Sequence, residues 1–228
     1  MTPPREYGSE HPLAEGLALY REGNKEAALG VFSQAARERP GDAESLYLLG
    51  LTLFKLGRYA EAIGPLRRSA DLHPGEDAMI KLAMAQGELK DLAACLATLQ
   101  EAALRLPGSA EVRAYLGTTL RTLDRIPEAL EAYGAALERD PGQVAALWGL
   151  GLALGMAGRY PEGKAALRRA IELDPGFPPP HFHLGVLAWA SGEPFETRRQ
   201  EALLRELAPS YAGRLAQIMT ERMPHAEP

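Results

Sequence analysis

Six prolines, Pro40, Pro74, Pro107, Pro141, Pro175 and Pro209, recur at intervals of 34, 33, 34, 34 and 34 residues, each closing a segment such as ALERDPG or AIELDPG. A fixed period of this length constrains the fold more than any other feature of the chain. Each period must be one supersecondary unit that buries its apolar face against its neighbours.

Aligning the chain on these prolines brings small residues into register. Position 8 of the unit holds Gly16, Gly50, Ala83, Gly117, Gly151 and Gly185, and position 20 holds Ala28, Ala62, Cys95, Ala129, Gly163 and Thr197. Position 27 holds Ala35, Ser69, Ala102, Ala136, Ala170 and Leu204, while position 24 carries bulky Phe32, Leu66, Leu99, Tyr133 and Leu167. Small residues facing a bulky one mark two helices in close approach. Gly23, Gly57, Gly158 and Gly192 sit mid-unit, where a helix C-terminus takes a left-handed residue. Pro127 and Pro161 follow in the first turn of the next helix. Apolar residues on either side recur at i, i+3, i+4 and i+7, so each unit reads as two antiparallel helices joined by a tight turn.

The spacing predicts an all-α chain of about thirteen helices between Leu13 and Met223. The stretches LLGLTLFKLGRYAEAIGPLRRSADLHP and GLGLALGMAGRYPEGKAALRRAIELDP, with their Leu-Gly, Gly, Ala, bulky, Ala and Pro positions, resemble tetratricopeptide repeats. The resemblance covers residues 9–209 and implies a right-handed helical-hairpin solenoid, or superhelix. Its six units fall at 9–42, 43–76, 77–109, 110–143, 144–177 and 178–209, after a disordered leader at 1–8. A capping helix at 210–223, with Tyr211, Leu215, Ile218 and Met219 on one face, covers the apolar end of the stack before a disordered tail at 224–228. Two units depart from the pattern. The third lacks one residue and has Gln86 and Gly87 inside its first helix, and the sixth has Thr197 and Glu201 where its second helix should offer small and bulky apolar side chains.

A formal charge of -5 over 228 residues argues against a broad phosphate-binding face unless charge is strongly segregated, so nucleic acid is not an expected partner. Cys95, the sole cysteine, excludes an intramolecular disulfide and a cysteine metal cage. The leader MTPPREYGSEHP lacks the apolar core of a signal peptide, and the longest uncharged run, Val144 to Gly158, is shorter than a membrane span. A soluble, cytoplasmic protein with no membrane insertion is expected.

Motifs for chemistry fail on mechanism. His181 and His183 are two apart and point about 200° from each other on a helix, so they do not chelate one ion. In ELDPGFPPPHFHLG the prolines fill the loop and first turn of a helix, where missing N–H groups cost nothing. GRYPEGKA imitates a phosphate-binding loop, but follows a helix and has Ala165 where a hydroxyl must meet magnesium. Cys95 occupies a small-residue pocket without a cationic neighbour in sequence, the setting of an inert thiol. The doublets Arg67/Arg68 and Arg168/Arg169 are read as a solvated convex face. No catalytic residue, cofactor or metal site is expected.

The resemblance also implies that one stripe of each first helix lines a concave groove. Position 5 holds Leu13, Tyr47, Ile80, Ala114, Trp148 and Phe182, and position 12 adds Tyr20, Phe54, Arg121 and Trp189. Position 9, polar in the typical repeat, holds Leu17, Leu51, Met84, Thr118, Leu152 and Val186. An exposed apolar stripe of that length marks an interaction surface. The expected peptide-binding groove is therefore Leu17, Tyr20, Tyr47, Leu51, Phe54, Ile80, Met84, Arg121, Trp148, Leu152, Phe182, Val186 and Trp189. Chaperone-binding members of the family hold a C-terminal carboxylate with Lys at position 5 and Asn at position 9, and neither occurs here. Glu10, Glu44, Asp77 and Glu111 at position 2 suit the helix dipole.

The resulting expectation is a non-enzymatic scaffold whose groove holds an apolar or amphipathic segment of another protein or peptide. Alternative readings are an accessory or regulatory subunit of an enzyme complex, and a self-associating homo-oligomer.

Overall fold

The computed structural model describes residues 13–220. The expected leader at 1–8, the disordered tail at 224–228 and the last residues of the expected capping helix lie outside the described residues. Among the described residues all regular structure is α-helical. The helices are α1 (Ala14–Arg21), α2 (Lys25–Glu38), α3 (Ala43–Lys55), α4 (Tyr59–Leu72), α5 (Glu76–Glu88), α6 (Leu92–Arg105) and α7 (Ala110–Thr122). They continue with α8 (Ile126–Arg139), α9 (Val144–Met156), α10 (Tyr160–Leu173), α11 (Pro178–Ala190), α12 (Pro194–Leu207) and α13 (Pro209–Thr220). Odd-numbered helices from α1 to α11 open a hairpin and even-numbered ones close it. The chain divides into two compact units, Met1–Val112 and Arg113–Pro228.

One turn serves all the hairpins. The N–H of Asn24 donates to Leu19 O, and the same step is made by Arg58 to Leu53, Asp91 to Gln86, Arg125 to Leu120, Arg159 to Leu154 and Glu193 to Ala188, at 2.8–3.0 Å. This is the bond of a Schellman cap, which requires a left-handed residue just before the donor. Gly23, Gly57, Gly158 and Gly192 supply it, with φ from 73° to 86°. The two hairpins lacking that glycine force Lys90 (φ 64°) and Asp124 (φ 59°) into the same conformation.

The second helix then starts on a local cap. Asn24 and Asp91 accept from the N–H groups of Ala27 and Ala94 at 3.3 and 3.0 Å. Where arginine stands at that position, it bonds the glutamate three residues on, as in Arg58–Glu61, Arg125–Glu128 and Arg159–Glu162. All three pairs are exposed, so they add little to stability.

Within a hairpin the small and bulky positions meet as expected. A Cβ added to Gly50 would stand 2.5 Å from Leu66 Cγ, and one on Gly151 would stand 2.6 Å from Leu167 Cγ. Only glycine lets these helix backbones come so close. The bulky partners Phe32, Leu66, Tyr133 and Leu167 are fully buried.

In the first unit the residue missing from the third repeat falls in the loop, not in a helix. The connection between α4 and α5 has three residues, 73–75, whereas α2 and α3 are separated by four, 39–42. Helices α5 and α6 keep lengths of 13 and 14 residues. Arg67 is not merely solvated as the doublet implied: its Nη1 bonds Glu101 Oε2 at 2.7 Å and its Nη2 donates to Thr98 Oγ1, tying α4 to α6. Arg105 also bonds Glu101, and the Arg67 and Arg105 guanidiniums hold the Glu101 carboxyl below the usual range.

In the second unit Lys164 is buried and pairs with Glu193 while donating to Ser191 Oγ at 2.8 Å, fastening α10 to the turn of the next hairpin. The sixth hairpin, whose second helix departs from the pattern, is completed from outside the repeat. A Cβ on Gly185 would meet Leu215 Cδ2 of α13 at 2.5 Å, so the capping helix delivers the bulky group that Glu201 does not. Thr197 is buried and bonds Gly185 O at 3.2 Å, and Glu201 pairs with Arg205 at 2.7 Å.

Candidate functional site

Successive first helices touch one another within each unit, α3 against α5, α9 against α11 and α11 against α13. Residues of the predicted groove stripe therefore lie at or beside the seam between first helices, and the structure sorts them by depth. Leu17 (3% exposed), Leu51 (9%), Ile80 (1%) and Phe182 (5%) are core residues. Tyr20, Tyr47, Phe54, Met84, Arg121, Trp148, Leu152, Val186 and Trp189 are half-buried.

Position 9 is thus not the continuous exposed apolar stripe that its sequence implies. Leu17 packs in a cluster with Phe32 and Leu48, and Leu51 is covered in the same unit, because the seam closes over that position. Met84, Leu152 and Val186 keep part of their surface, and Thr118 is the exposed residue at that position.

In the first unit the half-buried side chains form an aromatic ledge. Tyr47 packs against the buried cluster of the first hairpin and that of its own, and burial, followed by the charge of Asp77 and the neighbouring Tyr20, pushes its hydroxyl pKa up. Phe54 meets Tyr59 edge-on with centroids 5.2 Å apart, and Lys81 Nζ lies 6.0 Å from the Phe54 centroid. Beside Tyr47 a cleft of about 620 Å³ opens between Asp42, Ser69, His73 and Asp77, at the shortened loop.

In the second unit the half-buried groups are linked. Trp148 Nε1 lies 3.1 Å from His183 Nδ1, and Phe177 packs edge-on against the Trp148 ring at 5.7 Å. His183 Nδ1 is also 2.7 Å from Pro179 O. A bare Nδ1 accepts from the indole and a protonated one donates to the carbonyl, so the two bonds are alternatives. Burial lowers the His183 pKa, against the Pro179 hydrogen bond, and the charges of Arg121 and Arg214 lower it further. The Phe182 ring lies 5.0 Å from that of His183 and 5.3 Å from that of Tyr211, with the Arg214 guanidinium 4.8 Å from the Phe182 centroid. His181, by contrast, is buried and structural, its ring nitrogens bonded to Gln200 Oε1 at 2.8 Å and Pro175 O at 3.0 Å.

The sequence reading missed His183, Tyr211 and Arg214 as members of this group. The last two belong to the capping helix, outside the repeat register. Among the described residues no group of three or more His, Cys, Asp or Glu side chains is arranged to hold a metal ion, and no helix is long and apolar enough to cross a membrane.

Hairpins with these turns, small-to-bulky contacts and first-helix seams define a helical repeat protein. The tetratricopeptide repeat profile matches residues 13–77 and 116–178, together more than half of the chain, and the chain belongs to that family. A BBSome complex member BBS4 homolog of Drosophila melanogaster is 33% identical over 128 residues, which are 56% of this chain and 26% of that protein. The chain thus matches only about a quarter of that relative's length. A tetratricopeptide repeat protein from Parabacteroides merdae superposes with a TM-score of 0.77 at 16% identity, covering 92% of this chain and 86% of its own. YrrB, a tetratricopeptide repeat protein with an unusual peptide-binding site, superposes with a TM-score of 0.60 at 21% identity, covering 74% of this chain and 88% of its own. At these identities the structural likeness is one of fold.

Proposed function

We propose that the chain is a non-catalytic protein-interaction scaffold, and that the first-helix faces of its units bind an apolar or amphipathic peptide segment of a partner protein in the cytoplasm. The observation that carries the reading is the set of half-buried aromatic and aliphatic side chains, Tyr47, Phe54, Trp148, Leu152 and Trp189, on those faces. Each is partly covered and partly open, and large side chains of that kind serve as anchor residues at protein interfaces. Fold neighbours such as YrrB, with its peptide-binding site, support the same reading. Membership of the BBS4 relative in a complex favours a second reading, an accessory subunit of a larger assembly. Self-association is the third. Phe195 at 85% exposure, with Leu203 and Leu207 on the same side of α12, would suit contact with another copy.

The test is a pull-down that identifies a partner, followed by calorimetry with the purified pair. Met84→Gln and Leu152→Asn alter one half-buried side chain in each unit without entering the core. Unchanged circular dichroism with at least about tenfold weaker binding supports the proposal. Undiminished binding moves the interface to the second-helix face.

A further inference from the structure

Charge in the second unit is sorted between the two kinds of helix. Apart from Glu111 in the first turn of α7, its first helices and capping helix, α7, α9, α11 and α13, carry Arg113, Arg121 and Arg214 and no aspartate or glutamate among the described residues. The second helices carry the acids, among them Glu128, Glu131, Glu162, Glu172 and Glu196. Glu111 stands in a first turn, where an acid suits the helix dipole. The first helices of the other unit do hold Glu15, Glu44 and Glu76 in their first turns. In a chain of net charge -5, the charged side chains of these helices beyond that first turn are thus all positive among the described residues.

Among the described residues, two of those cations have no partner of opposite sign. Arg214 is exposed and lies over the rings of Phe182 and Tyr211, at 4.8 and 5.6 Å from their centroids. Arg121 is half-buried, and its Nε is shut off from solvent without a hydrogen-bond partner. Among the described residues neither takes part in an ion pair, whereas Arg125 and Arg159 of the same unit each hold a glutamate. A partly buried guanidinium without a counter-charge carries a desolvation cost that a carboxylate at its open side would offset. The His183 ring stands within reach of both charges and adds none of its own while its pKa is depressed.

We propose that this face takes an acidic, amphipathic protein segment, its carboxylates held by Arg121 and Arg214 and its apolar side chains laid on Trp148 and Leu152. The inference rests on the scaffold reading above and assigns the chemistry of the partner in the second unit. Arginine forks match carboxylates in paired hydrogen bonds, and the apolar floor between them calls for a ligand with an apolar side of its own. A nucleic-acid backbone is the poorer fit: two guanidiniums are few for a phosphate track, and the surrounding molecule is acidic.

The indole of Trp148 provides the readout. The full chain is titrated by tryptophan fluorescence with an end-capped helical peptide of roughly 14 residues bearing leucine on one face and glutamate on the other. Versions with glutamine or lysine in place of glutamate are run beside it. Expected is binding of the glutamate peptide at least about tenfold tighter than the glutamine peptide in about 0.05 M salt, the advantage vanishing near 0.5 M. The Arg121→Gln/Arg214→Gln variant should remove that advantage, so that the glutamate and glutamine peptides bind within about twofold of each other. If the double variant does not fold, Arg214→Gln alone, at an exposed site, must still cut the advantage by at least about threefold.

Equal binding of the glutamate and glutamine peptides overturns the acidic assignment and leaves the scaffold reading standing. Binding of none of the three peptides overturns both for amphipathic ligands. Displacement by an oligouridylate of about 12 nucleotides that requires both arginines would replace the acidic segment with nucleic acid.

Discussion

Trp148 Nε1 and His183 Nδ1, 35 residues apart in sequence, stand 3.1 Å from each other and join α9 to α11 across the first-helix seam of the second unit. The contact exists only while Nδ1 is bare, which makes it sensitive to protonation.

In the unfolded chain the His183 ring titrates near 6.5, and in the fold it titrates lower, chiefly because it is buried. The unfolded state therefore takes up the proton first as pH falls, and stability declines from about pH 6.5 downward until the folded value is passed. Urea midpoints measured across that window should drop for the wild type and stay flatter for His183→Gln, whose amide oxygen also accepts from an indole. Parallel curves for the two proteins would show that the contact carries no such dependence.

Leu215→Ala should destabilise the second unit by about 2–4 kcal/mol, since the side chain is fully buried and nothing in α12 can refill the space against Gly185. Ala216→Ser, one residue on, serves as a control. Chemical denaturation of both variants checks the difference.

Asp124 and Lys90 occupy left-handed backbone that four other hairpins assign to glycine. Lys90→Gly should stabilise the first unit by about 1 kcal/mol, and Asp124→Gly should gain less in the second, because aspartate tolerates that conformation better than lysine. A loss of stability in Lys90→Gly would mean that the extra freedom of the unfolded glycine outweighs the relief of strain.

Gly87 lies inside α5, and a Cβ there would meet only Cys95 Sγ at 4.0 Å, an ordinary contact. Gly87→Ala should stabilise by about 0.5–1 kcal/mol. Gln86 beside it is buried with Oε1 unpartnered. Native-state hydrogen exchange over 84–92 should accordingly be faster than over 147–154, and slower in the alanine variant than in the wild type. Equal protection of the two segments would remove the idea that α5 is the weak element.

The hairpin register was legible because it is written in residues with local meaning. The prolines mark loops, the glycines mark turns and close approaches, and Pro178 does begin a helix, as its neighbours implied. Lys90 was not legible as a turn residue, since lysine does not advertise a left-handed backbone, and Asp124 advertises it far less than glycine does. Leu215 was legible as part of the capping face, but its contact with Gly185 was not, because that glycine lies in a hairpin to which Leu215 does not belong. The depth of Leu17 and Leu51 was misjudged for the same reason: a residue's exposure here depends on the next first helix, which its own period does not describe. Arg67 read as solvent-facing until Glu101 and Thr98 of the following hairpin were placed beside it. The charge sorting of the second unit was present in the sequence throughout, visible only once residues are grouped by helix type rather than by position in the chain.

The loan of Leu215 to the sixth hairpin also sets an order of events during synthesis. Hairpins such as α3–α4 and α9–α10 contain both halves of their small-to-bulky contact, Gly50 with Leu66 and Gly151 with Leu167, and can close as soon as their second helix leaves the ribosome. Helices α11 and α12 cannot finish in the same way. Gly185 waits until α13 has emerged, so between the exit of α12 and the exit of α13 the chain holds a hairpin that is made but unsealed, its apolar surface open to chaperones and proteases.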